Sequence, residues 1–167
     1  MIQPETIILT KTQIDHKIMR IAYQVYEANV NEELVVVAGI KENGYLFAKK
    51  IKSILEKISP LKVILCEVII DKKKPTNPIQ TSIPSSEYQN KSVLLVDDVL
   101  HSGTTLIYGV KHFLEVPLKQ FKTAVLVDRN HKKYPIKADF KGISLSTSIN
   151  ENVSVIFEKD NDRALLE

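Results

Sequence analysis

Several shortages in this chain close off classes of function before any motif is read. One cysteine, Cys66, stands in 167 residues. A lone thiol supports neither a disulfide framework nor a cysteine-built metal site. It lies within the apolar run 63–70 and reads as an inert core residue. No apolar run approaches the ~20 residues of a membrane span. The first residues lack a basic region followed by a long apolar stretch, so a secretory signal is not expected. These shortages lead to the expectation of a soluble, cytoplasmic protein with no membrane partner. A large excess of either charge is also lacking: the net charge is +3 and the pI about 8.8. That balance is compatible with anionic ligands or RNA and demands neither. No His, Cys or carboxylate spacing resembles a protein-held metal cage. A metal ion is therefore expected only in company with a phosphate ligand. Internal repeats and linkers are absent, and the length suits one domain over 1–167.

What is present is a globular core and an alternating pattern. Hydrophobic residues make up 44% of the chain, enough to argue against disorder. Residues 12–28 show helical spacing, with Ile14, Ile18, Ile21, Ala22, Val25 and Tyr26 on one face. Residues 34–38 read as a buried strand ending in a turn at Gly39. A second helix is expected over 43–58, its inner side carrying Leu46, Phe47, Ile51, Ile54, Leu55 and Ile58, with Lys50 at the edge of that stripe. Pro60 prevents its continuation. A strand follows over 61–70. Residues 71–91 hold three prolines and many polar residues and read as a long exposed loop. A strand over 93–96, a helix from about 104 to 115, a strand over 121–127 and a last strand over 153–157 complete the reading. Residues 128–148 look irregular and polar, and a charged tail ends the chain. The alternation β-α-β-β-α-β predicts an α/β fold with a mostly parallel sheet and flanking helices.

The most informative stretch is Val93-Leu94-Leu95-Val96-Asp97-Asp98-Val99-Leu100-His101-Ser102-Gly103-Thr104-Thr105. An apolar strand delivers two adjacent carboxylates at its C-terminal end, where open α/β sheets place ligands. Ser102, Gly103, Thr104 and Thr105 can turn backbone N–H groups and hydroxyls toward one anion. A helix beginning behind them adds the positive end of its dipole. A phosphate on one side and paired acceptors on the other suit a sugar phosphate. An Asp-Asp pair also occurs in receiver domains, but those carry it near their first strand, which 34–38 does not match.

This stretch resembles the signature of type I phosphoribosyltransferases, which bind phosphoribosyl pyrophosphate (PRPP). Residues 128–142, Asp-Arg-Asn-His-Lys-Lys-Tyr-Pro-Ile-Lys-Ala-Asp-Phe-Lys-Gly, resemble the corresponding segment of the PyrR family. That family combines regulation of pyrimidine operons with uracil phosphoribosyltransferase activity. Leu145-Ser146-Thr147-Ser148 is similar to its Ile-Pro-Thr-Ser, and Gly39-Ile40-Lys41 before Gly44 to its first ligand loop. The resemblance implies a type I phosphoribosyltransferase fold with a mobile loop and a small hood from the C-terminal third. It implies transfer of ribose 5-phosphate from PRPP to uracil, giving UMP and pyrophosphate, with Mg²⁺ accompanying PRPP. Asp97 and Asp98 would be the catalytic acids facing the ribose. Ser102, Gly103, Thr104 and Thr105 would hold the 5-phosphate. Lys41, Gly44 and Arg129 would lie on the pyrophosphate side, and Leu145 in the hood over the base. A homodimer or higher homo-oligomer is also implied.

Departures from the family fall on the pyrophosphate side. Where its first loop reads Gly-Ile-x-Thr-Arg-Gly, this chain has Glu42-Asn43 in place of Thr-Arg. Glu42 would set a negative charge near a polyanion. The family's Tyr-Arg in the mobile loop has no counterpart, although Lys72, Lys73 and Lys74 stand nearby. Lysine neutralises charge but lacks arginine's planar fork. In the hood, Ser146 stands where the family has Pro. His101 lies at a position the family varies, and no catalytic role is expected of it. His131, Lys132, Lys133, Lys137 and Lys141 form a basic segment that reads either as a solvated surface or as an RNA-facing patch. The alternative function is therefore a UMP-sensing, RNA-binding regulator with weak or no catalysis.

Overall fold

The computed structural model describes residues 5–167. Its elements follow in order: β1 (Thr6–Leu9), α1 (Lys11–Ala28), β2 (Leu34–Ile40), α2 (Asn43–Ile58), β3 (Lys62–Ile69), β4 (Gln80–Thr81), β5 (Ser92–Leu100), α3 (Thr104–Phe113), β6 (Gln120–Arg129), β7 (Phe140–Leu145), β8 (Val153–Ile156) and β9 (Arg163–Leu166). Six strands form the main sheet in the order β4-β3-β2-β5-β6-β7, and β1-β9-β8 form a second, smaller sheet. In the main sheet every pairing but β3 with β4 is parallel.

The continuous apolar runs of the inner strands follow from burial on both faces. Along β2, Val35 and Val37 face α1 and α2, while Val36, Ala38 and Ile40 face the α3 side. The first of these cores also takes in Leu9, Val153, Val155 and Ala164, so the small sheet and the main sheet share it. Helix α1 begins with a capping box in which the Thr10 hydroxyl accepts from the Gln13 N–H and the Gln13 side chain accepts from the Thr10 N–H. Arg20 on α1 donates to the carbonyls of Lys141 at 3.0 Å and Gly142 at 2.7 Å, which ties the helix to edge strand β7.

The helices and inner strands fall where periodicity placed them, with local corrections. Gly39 lies inside β2 rather than in a turn after it. Leu46 is on the exposed side of α2, while Gly44 and Ala48 join the buried face. Lys50 does sit at the edge, bridging to Asp162 at 2.9 Å beside the ring of Phe157. The stretch 71–91 is not wholly an exposed loop. It contributes β4 and a single 3-10 turn, and it buries Tyr88 against Phe113, with ring centroids 4.8 Å apart. Residues 128–148 contain β7, and the charged tail contains β9, whose Ala164 and Leu165 are buried. The hood-like small sheet takes two strands from the C-terminal third and one, β1, from the other end of the described chain. Short amphipathic strands such as Thr6–Leu9 and Arg163–Leu166 carry too few residues for their period to show. Among the described residues no helix is long and apolar enough to cross a membrane.

Candidate functional site

Strand β5 is the spine of the site. Its pairing with β2 ends at Gly39 and Val96, but its pairing with β6 continues through Leu100 and Asp128. The strand therefore carries both acids rather than stopping before them, as its apolar run alone suggested. After β2 the chain moves to β3 on one side, and after β5 to β6 on the other. The crevice between β2 and β5 is thus a topological switch point, the ligand position of open α/β sheets.

Asp97 and Asp98 differ sharply in environment. Asp97 is 6% exposed, and its Oδ1 accepts from the Asp98 N–H at 2.9 Å. Burial, then the adjacent negative charge of Asp98, holds its carboxyl well above the usual range, with Lys72 pulling weakly the other way. Asp98 is half-buried, and both of its oxygens have donors. Oδ1 accepts from the Val99 N–H at 2.9 Å, and Oδ2 accepts from Asn43 Nδ2 at 3.1 Å. Gly44, at the start of α2, lets the helix come close: a Cβ there would lie 3.0 Å from the Val96 carbonyl and 3.1 Å from Asp97 Oδ1.

The turn after β5 depends on a glycine. Gly103 has φ +87°, a left-handed conformation that residues with side chains resist. A Cβ at that position would also meet the Ile136 side chain at 2.6 Å. Gly103 caps α3 without a side chain, so no side-chain acceptor from it occupies the helix's first amides. The hydroxyls of Ser102 and Thr104 stand 2.8 Å apart. Ser102's carbonyl accepts from the N–H groups of Lys133 at 2.8 Å and Tyr134 at 3.1 Å, which holds the turn from outside. A cavity of about 200 Å³ is lined by Lys72, both acids and the 101–105 turn. The acids and the four expected phosphate residues thus face one space.

The residues expected on the pyrophosphate side do not converge in the same way. Lys41 is exposed, and its N–H donates to the Val68 carbonyl at 2.8 Å. Glu42 is exposed and held at φ 74°, an unusual backbone conformation for a residue with a side chain. Arg129 is occupied within the protein. Its guanidinium donates to Thr147 Oγ1 at 2.7 and 2.9 Å, to His101 Nδ1 at 2.8 Å, and to the Ser148 and Glu151 carbonyls. Leu145 ends β7 opposite Arg129, and its side chain packs on the first core. The segment beyond it is pinned by Asn130 to Ser146 Oγ at 2.6 Å and by His131 to the Thr147 carbonyl at 2.6 Å.

Sequence reasoning missed two members of the site. Asn43, which in the sequence marks only the loss of an arginine, binds Asp98. His101, at a position the family varies, lines the cavity. A guanidinium cannot accept, so His101 Nδ1 must be the acceptor, and the neutral ring carries its proton on Nε2. Burial and the Arg129 charge both lower its pKa, which favours that neutral form. Nothing in a single sequence marks either contact, since both join residues far apart in the chain. The basic segment is also thinner than its composition implies: Lys132 and Lys141 both pair with buried Asp128, at 3.0 and 3.4 Å.

The phosphoribosyl transferase domain model matches residues 6–158. The bifunctional protein PyrR of Pediococcus pentosaceus is 33% identical over 160 residues, covering 89% of this chain and 90% of that one. The bifunctional protein PyrR of Geobacter sulfurreducens is 34% identical over 165 residues, covering 93% of each. Among solved structures, the hypoxanthine phosphoribosyltransferase of Trypanosoma cruzi superposes with a TM-score of 0.76 at 16% identity, covering 95% of each chain. A hypoxanthine-guanine phosphoribosyltransferase from Bacillus anthracis gives 0.69 at 21% identity, covering 85% of this chain and 84% of that one. These two structures speak to the fold.

Proposed function

The chain belongs to the phosphoribosyl transferase family, in its PyrR branch, and on that premise we propose that it transfers ribose 5-phosphate from PRPP to uracil, yielding UMP and pyrophosphate. The observation that carries this reading is the shared cavity of Asp97, Asp98 and the 102–105 turn at the β2/β5 switch point. The turn would take the 5-phosphate through hydroxyls and the first amides of α3. The acids would then accept from the ribose hydroxyls. Asp98, with both oxygens already fixed by donors, needs little reorganisation as positive charge develops on the ribose ring. In the reaction the base nitrogen forms its bond to C1 of the ribose as the bond from C1 to pyrophosphate breaks. The leaving group takes that bond's electrons, and the base nitrogen loses its proton to the departing pyrophosphate or to solvent.

The acid pair fits a divalent cation that arrives with PRPP. Among the described residues no group of three or more His, Cys, Asp or Glu is placed to hold a metal ion. Two carboxylates fill a minority of the roughly six oxygen positions Mg²⁺ prefers, leaving the rest to substrate oxygens and water. When bound there, the ion would neutralise charge on the departing pyrophosphate. Lys72, in the same cavity, would supply a fixed positive charge toward that group.

Incubation with PRPP, Mg²⁺ and each nucleobase, followed by a pyrophosphate assay, tests the reading. Uracil should turn over fastest. A preference for hypoxanthine or guanine would overturn the pyrimidine assignment, and no turnover with any base would overturn the catalytic one. A second reading, a UMP-sensing RNA binder, is favoured by a shallow cavity of about 440 Å³ beside the site, at whose rim Lys133 is exposed. It predicts salt-dependent binding of pyrimidine-leader RNA that strengthens with UMP.

A further inference from the structure

We propose that Asn43 is a positioning residue that couples the small sheet to the ribose-binding acid, so that ligand held at Asp98 and closure of the small sheet reinforce each other. This rests on the phosphoribosyl transfer reading and assigns a regulation to that same site. One amide nitrogen, Asn43 Nδ2, donates to Asp98 Oδ2 at 3.1 Å and to the Val155 carbonyl at 2.7 Å. Its two hydrogens allow both bonds at once. Val155 lies on β8, the edge strand of the small sheet, and is 4% exposed. On its open side β8 has no strand partner, and there Asn43 donates to its backbone. Asn43 itself is anchored as the first residue of α2, directly after strained Glu42 and directly before Gly44, which packs against Asp97. The arrangement is a strap of three elements: β5 through Asp98, α2 through Asn43, and β8 through Val155. Any ligand that fixes the Asp98 carboxylate also fixes the amide that holds β8. By reciprocity, β8 in place presents Asp98 to the ligand. The asparagine that stands where the family has arginine thus faces Asp98.

The test compares Asn43→Ala and Asn43→Asp with the wild type by calorimetric titration of PRPP with Mg²⁺ and by hydrogen exchange over residues 153–156. Asn43→Asp is isosteric but cannot donate while ionised. In the wild type, PRPP should protect 153–156. Asn43→Ala should weaken PRPP about tenfold, roughly 1.4 kcal/mol, and Asn43→Asp should weaken it further. Neither variant should retain PRPP-linked protection of 153–156, and both should exchange faster there without ligand. A role in shape alone predicts Asn43→Asp near wild type, and that result overturns the proposal. Unchanged exchange over 153–156 in both ligand-free variants overturns it too. Should the wild type bind no PRPP, the proposed function falls, while the ligand-free exchange still decides whether the strap exists.

Discussion

The two halves of the crevice are built differently. The half proposed for the ribose 5-phosphate stands on β5, an inner strand buried on both faces, and on a turn locked by Gly103 and by two bonds to the Ser102 carbonyl. The half proposed for pyrophosphate stands on an exposed turn with Glu42 in a strained conformation and on a lysine-bearing loop capped by Asp71. There the Asp71 carboxylate accepts from the N–H groups of Lys73 and Lys74, each at 3.0 Å. One half is preorganised by packing, and the other relies on charges that water screens. The contrast teaches that binding of the sugar phosphate is the better-supported capacity of this fold, and that turnover depends on the weaker half.

Substitutions can break or sharpen this contrast. The largest effect is expected for Asp98→Asn, which keeps shape and removes the charge: kcat/KM should fall about a hundredfold, measured as pyrophosphate release. Gly103→Ala comes next. It forces a side chain into a left-handed conformation and against Ile136, so PRPP and UMP affinities should both drop about tenfold. Equal losses for the two ligands place the damage in the half they share. Lys72→Ala should act on the other half alone, raising the KM for PRPP about threefold while leaving UMP binding unchanged. Loss of UMP binding in that variant would erase the distinction between the halves.

The smallest effect concerns stability and pH. Asp97 is raised by burial and by Asp98, so ionising it opposes the folded state. Its favourable contribution is present below the ordinary carboxylate range and is lost as pH rises through the raised value. Asp97→Asn should therefore flatten the decline of Tm on the alkaline side and raise Tm by a few degrees above neutral pH. The same variant should bind PRPP less well, the usual conflict between stability and function at a buried acid.

The two halves also differ in how readable they were from residues. The apolar strand, the acids and the small-residue turn are contiguous, so Val93 to Thr105 could be read as a unit, and the structure brings all of it to one cavity. Helix α2 was legible to its ends, because its stripe is long and Pro60 closes it. What stays unreadable around the crevice is the set of contacts between distant segments. Asn43 meets Asp98 and Val155, and Arg129 meets His101 and Thr147, pairings that no local period encodes. Strands β1, β7 and β9 escaped for a related reason: at four to six residues, their burial is set by partners elsewhere in the chain.

The central claim is that a sugar phosphate binds in the β5 half of the crevice. It is tested most directly by titrating the protein with PRPP and Mg²⁺, then with UMP, in competition, for wild type and Gly103→Ala. The account predicts one shared site, mutually exclusive occupancy and parallel weakening of both ligands by the substitution. Independent binding of the two ligands, or affinity untouched by Gly103→Ala, would contradict it.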